Sequence, residues 1–116
     1  MGLFGKSNKK NDYDEKQRDL NDNQLASDRL IIFQLNDDDK KAGELVGELK
    51  KGKPLVLNFD NLEPMAANKL LAFFAGACFA IEGRNVRINE KTYLFARSVD
   101  FYDGSLQHFL DTLPRD

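Results

Sequence analysis

The sequence predicts an α/β sandwich: a mixed sheet of about five strands, two main helices and a short C-terminal helix. Twice in succession a short run of β-branched and aromatic residues gives way to apolar residues at helical spacing, over residues 30–49 and 55–78. Such strand–helix units imply parallel strands joined by a right-handed crossover. After Gly83 the pattern turns to strict alternation around a polar turn, which marks a hairpin and makes the sheet mixed.

The elements follow in order. Leu30-Ile31-Ile32-Phe33 is a continuous apolar run, expected as a central strand. The acidic and amide residues 36–39 open a helix whose inner positions are Ala42, Leu45, Val46 and Leu49, and Gly52 suits a left-handed cap with Lys50 and Lys51 at the negative end. The run 36–42 is not a calcium loop, because Lys41 and Ala42 stand where a ligand and a glycine are needed. Residues 47–54 miss the phosphate-loop pattern because Pro54 replaces the hydroxyl residue.

Leu55 to Phe59, interrupted only by Asn58, reads as a strand covered on both faces. From about Leu62 a helix carries two stripes, Ala66-Leu70-Phe73-Ala77 and Ala67-Leu71-Phe74-Cys78. It is apolar nearly all round, and one sheet covers only one side of it, so a second copy of the chain is the simplest further cover. A homodimer is expected. Val86 and Ile88 then alternate with Asn85, Arg87 and Asn89, residues 92–96 return, and residues 99–102 suggest one more strand. Ser105 is placed to cap a final helix bearing Leu106, Phe109, Leu110 and Leu113, with Pro114 as its stop. His108 lies off that stripe, facing solvent.

The composition narrows the function. The 116 residues have 41% hydrophobic content and a formal charge of −2 spread along the chain, which gives no basic face for nucleic acid. A single cysteine, Cys78, excludes an internal disulfide and multi-cysteine metal sites. No nucleophile elbow, carboxylate pair or glycine loop after a strand is present, so no enzyme and no cofactor are expected. No apolar run is long enough to span a membrane, and a cytoplasmic chain is expected. Residues 1–10 join Leu3 and Phe4 to Lys6, Lys9 and Lys10, a composition that suits peripheral contact with an anionic membrane; a disordered soluble terminus is the alternative. Residues 11–27 are too polar to build a core and read as a disordered linker, with an end-to-end distance of roughly 20–25 Å. Residues 28–116 form the globular domain.

The segment Lys53-Pro54-Leu55-Val56-Leu57-Asn58-Phe59, followed by Phe73-Phe74-Ala75-Gly76 and by Phe79-Ala80-Ile81 with Gly83, resembles the core of the SepF family of bacterial cell-division proteins. Their pattern runs approximately K-x-V-V-V-N-L, F-L-S-G and Y-A-I-x-G. The match runs without gaps for about thirty residues, and weaker similarity extends from Arg29 to about Val99. The resemblance implies an α/β sandwich in an adaptor that self-associates, binds the C-terminal tail of the tubulin-like protein FtsZ and tethers it to the inner face of the cell membrane at the division site. It further implies tail binding at Tyr93 and Arg87, and self-assembly through Gly76 with Ala72 and Phe73 on the long helix. The family more often has Phe at position 93, and Thr-Pro where this chain has Ala96-Arg97. On the residues alone, Tyr93 is equally a core or surface strand residue, Arg87 a solvated hairpin charge, and Gly76 a site of intramolecular packing. A small α/β ligand-binding or catalytic domain with a scattered site is the alternative function.

Overall fold

The computed structural model describes residues 24–114. Leu3, Phe4, Lys6, Lys9 and Lys10, and the expected linker up to residue 23, lie outside them. The strands are β1 (Ile31–Gln34), β2 (Leu55–Asn58), β3 (Gly83–Asn89) and β4 (Thr92–Arg97); the helices are α1 (Asp39–Lys50), α2 (Pro64–Ala80) and α3 (Ser105–Asp111). Single 3-10 turns, Ala26–Arg29 and Ser98–Phe101, precede β1 and follow β4. The sheet order is β1-β2-β4-β3, with β1 parallel to β2 and the other neighbours antiparallel. The fold is the expected α/β sandwich with a mixed sheet.

β2 lies inside the sheet because every side chain from Leu55 to Leu57 has a cover. Leu55 and Leu57 join Tyr93 and Phe95 of β4 in a core capped by Ala42, Leu45 and Leu49 of α1 and by Leu70, Phe74 and Cys78 of α2. On the opposite face Ala96 is buried with Ala26 and with Leu106 of α3. Burying each of the larger of these side chains contributes about 1.5–3 kcal/mol, so the two layers are held chiefly by the middle strands.

β1 is an edge strand, contrary to the expectation of a central one. Ile31 and Phe33 pack towards the helices, but Ile32 faces the other way and is 69% exposed. The apolar run looked continuous because Leu30 serves a different cluster, with Ala26, Ala96 and Leu106, rather than the strand. The sheet also has four strands among the described residues, not about five. Residues 98–101 turn instead of extending, which brings Arg97 and Asp100 into an ion pair with Nε–Oδ2 at 2.9 Å. In an extended strand, residues three apart point to opposite faces about 10 Å apart, and that pair would be lost.

The helix ends show local chemistry at work. Asp38 caps α1 by accepting from the Lys41 N–H at 3.0 Å, and Gly52 after it adopts a φ of 98°, as expected of a left-handed glycine cap. The cap of α3 departs from expectation. Ser105 is its first residue, and the carboxylate of Asp103 accepts from the Ser105 N–H at 2.8 Å and from its hydroxyl at 2.7 Å. Those bonds hold the Asp103 carboxyl below its ordinary range. The turn after α2 puts Glu82 in the left-handed region at φ 59°, while Gly83 beside it serves close approach. A Cβ at Gly83 would sit 2.6 Å from both the Ala96 carbonyl oxygen and Cys78 Sγ.

Candidate functional site

The hairpin register makes Arg87 and Tyr93 direct cross-strand partners, so two residues six apart in sequence share one face of the sheet. The Tyr93 ring is half-buried, edge-on to Phe59 with centroids 5.6 Å apart and stacked on Phe95 at 6.2 Å. Its body is fixed by the core. Arg87 is exposed on the free edge of the sheet, and its Nε donates to the Asn89 carbonyl at 3.2 Å. A register shift between Arg87 and Asn89 bends the strand there, and such bulges re-aim side chains. The result is an aromatic ring of β4 beside a cation on the open edge strand β3.

α2 presents the second surface. Leu70, Phe74 and Cys78 are buried on its inner side, and burial pushes the Cys78 thiol pKa up, so the thiol behaves as a small apolar group. The outer side is also apolar. Met65 and Phe79 are each 85% exposed, and with Ala72 they fall at i, i+7 and i+14, one line along the helix. Ala72 and Gly76 are exposed between them, and Phe73 is 42% exposed on the flank towards α1. A Cβ on Gly76 would meet no atom within 4 Å, so packing inside the domain does not call for a glycine there. Of this line the sequence analysis names Ala72 and Gly76 for assembly but not Met65 and Phe79, which the seven-residue steps 65, 72 and 79 could have joined to them. The one charge on α2, Lys69, reaches Asp37 at 2.9 Å and Asp39 at 3.1 Å beside α1, and those hydrogen bonds, to Asp37 first, raise its pKa.

At the other end of β4 a buried carboxylate organises two arginines. Asp100, 5% exposed, accepts from Arg97 Nε and Nη2 at 2.9 and 3.0 Å and from Arg29 Nη2 at 2.9 Å. The bidentate Asp100 pair holds the Arg97 guanidinium pKa above its ordinary value. Arg29 Nε also donates to the Gly52 carbonyl at 2.8 Å. Ala26 and Ser27, within the stretch expected as linker, donate backbone N–H groups to Asp103 at 2.9 Å and to the Ser105 hydroxyl at 3.0 Å. This clasp was not legible in advance, since its members come from three separate segments.

Among the described residues no group of three or more His, Cys, Asp or Glu side chains is arranged to hold a metal, and no helix is long and apolar enough to cross a membrane. His108 is exposed on α3. Fold and surfaces together define a small α/β sandwich whose distinguishing features are an uncovered apolar helix and an aromatic–cation pair at a sheet edge. A family model described as "Cell division protein SepF" matches residues 31–100. The chain belongs to the SepF family of cell division proteins. It is 26% identical over 83 residues to the cell division protein SepF of Carboxydothermus hydrogenoformans, covering 72% of this chain and 60% of that one. Over 96 residues it is 28% identical to that of Alkaliphilus metalliredigens, covering 83% and 64%. A SepF from a Cyanothece strain is 33% identical over 75 residues, covering 62% of this chain and 36% of the relative. The chain therefore spans less than two thirds of the length of these relatives.

Proposed function

We propose that this chain is a non-enzymatic adaptor of cell division that self-assembles through α2, binds the C-terminal tail of FtsZ at Arg87 and Tyr93, and tethers it to the cytoplasmic membrane through residues 1–10 at the division site. The observation that carries the reading is the outer line of α2. A helix already anchored by Leu70, Phe74 and Cys78 has no need, for folding, of Met65 and Phe79 in solvent. Exposed apolar surface of that kind marks contact with another chain. A second copy meets it symmetrically, with Ala72 and Gly76 letting the two backbones approach.

Assembly and membrane contact reinforce each other. Leu3 and Phe4 contribute at most about 3–6 kcal/mol if fully buried, and each lysine about 1 kcal/mol near an anionic surface. One copy binds weakly, and an array of copies gains avidity. Titration of the full chain with an FtsZ tail peptide is the test. Saturable binding is expected, weakened about tenfold by Tyr93→Ala, which loses an aromatic anchor, and less by the rim change Arg87→Glu. Absence of binding by the folded wild-type chain overturns the reading. For the tether, salt-sensitive flotation with anionic liposomes should vanish on deleting residues 1–10 while tail binding persists; equal flotation of both forms sinks that part alone.

A further inference from the structure

Between β3 and α3 lies a groove of about 300 Å³ whose lining includes Arg84, Val86, Arg87, Ile88, Leu110 and Leu113. We propose that this groove holds a segment of the same chain, Asp19-Leu20-Asn21-Asp22, with Leu20 among the aliphatic side chains and the two carboxylates at Arg84 and Arg87.

The groove joins apolar surface to uncompensated positive charge. Val86, Ile88, Leu110 and Leu113 are only half-buried, so part of each is left for an incoming aliphatic side chain. No carboxylate belongs to the lining. Among the described residues neither arginine has a carboxylate partner: Arg84 lies over the Phe101 ring at 4.1 Å, and Arg87 donates to the Asn89 carbonyl at 3.2 Å. Asp111 of α3 accepts from Gln107 at 2.9 Å and stands outside the lining, as do Glu82 and Glu90 in the turns at the two ends of β3. Arg29 and Arg97 differ in sharing the buried Asp100.

Charge and chain length select the occupant. Residues 11–23 carry five carboxylates against Lys16 and Arg18, and residues 19–22 carry two with no cation. Asp19 and Asp22 stand three residues apart, about 10 Å in an extended chain, and Arg84 and Arg87 have the same separation along β3. The described chain begins beside α3, where the Ser27 N–H donates to the Ser105 hydroxyl at 3.0 Å. Leu110 is about 8 Å further along that helix by its rise, whereas the seven residues from Leu20 to Ser27 reach up to about 25 Å. So short a tether supplies an effective concentration on the order of millimolar, enough to fill a groove of modest affinity. Docking also covers Arg87, so the segment competes with any ligand of the β3 edge; that consequence alone rests on the tail-binding reading above.

The test uses the full chain, labelled with nitrogen-15 and carrying a nitroxide at Gln17→Cys, with the buried Cys78 left unmodified. The amide signals of residues 86–88 and 110–113 should broaden, and that of Lys40 on α1 should not. Broadening should vanish in the triple variant Asp19→Asn, Leu20→Ser, Asp22→Asn and weaken at high salt. Arg84→Gln should reduce it about threefold, and so should Gln107→Glu, an exposed change on α3 that leaves the sheet untouched. Equal broadening in the parent and the triple variant overturns the proposal, as does its absence from the groove in both. Broadening of a labelled chain without nitroxide by an unlabelled chain that carries it would give the groove to the segment of a second copy and overturn docking within one chain. Groove signals that move only with phosphatidylglycerol vesicles would overturn it in favour of a lipid surface. No FtsZ peptide enters the measurement, so failure here and failure of the tail-binding reading are told apart.

Discussion

α1 and α2 do the same structural work and are built differently. Both lie on one face of the sheet and bury three side chains each, Ala42, Leu45 and Leu49 against Leu70, Phe74 and Cys78. Beyond that line they diverge. The rest of α1 is mostly charged, with Lys40, Lys41, Glu44, Glu48 and Lys50, whereas α2 has only Lys69 in 17 residues. Covering a sheet requires one apolar stripe, so α1 shows what suffices for the fold, and the outer line of α2 is the surplus on which the proposed self-assembly rests.

The comparison breaks most sharply at the inner line, where the two helices should behave alike. Phe74→Ala should cost about 3–5 kcal/mol and Leu49→Ala about 2–5 kcal/mol in urea unfolding, since both side chains are fully buried. If one is far milder than the other, the helices are not equivalent covers. At the helix starts a smaller asymmetry is expected. Asp38→Ala should cost about 1 kcal/mol because a cap bond is lost, while Glu63→Ala should change little, as α2 starts without a side-chain cap and with Pro64 in its first turn. The smallest effects on stability, within about 0.5 kcal/mol, are expected on the outer faces, from Lys40→Ser on α1 and from Phe79→Ser on α2, while Gly76→Lys should stabilise α2 by roughly 0.5–1 kcal/mol because an exposed mid-helix glycine is lost. Light scattering then sharpens the contrast: both α2 variants should reduce the assembled mass, and Lys40→Ser should leave it unchanged. Unfolding by Gly76→Lys would return that glycine to the core, and unchanged mass would remove α2 from the assembly.

Much of the fold was legible because its signals are local. The LVLN run of β2, the helical spacing of α1 and α2, and the alternation through Val86 and Ile88 each decide one element. What misled was patterning whose meaning depends on distant residues. Leu30 and Ile32 look like one strand with Ile31 and Phe33, yet Leu30 belongs to the cluster around Leu106 and Ile32 to solvent. Val99 and Phe101 alternate like a strand, yet Asp100 between them is claimed by Arg97 and Arg29. Of the candidate site, Tyr93 and Arg87 were named through family resemblance, and their pairing was set by the Asn89–Lys91 turn, which fixes the register. The outer role of Met65 and Phe79 is harder to read, because the seven-residue steps through Ala72 place them on one line while their exposure depends on which side of α2 the sheet covers.

The clasp around Asp100 also determines how load enters the domain. A pull on the chain ahead of Gln24 would otherwise reach β1, an edge strand of four residues held by a single neighbour, and peel it from the sheet one bond at a time. Ala26, Ser27 and Arg29 intercept that pull through Asp103, Ser105 and Asp100, and Arg29 adds the Gly52 carbonyl. Four bonds then share the tension, and three of them pass it to the segment between β4 and the start of α3. Mechanically the sandwich is gripped by its C-terminal half, and the weakest strand of the sheet is kept out of the line of force.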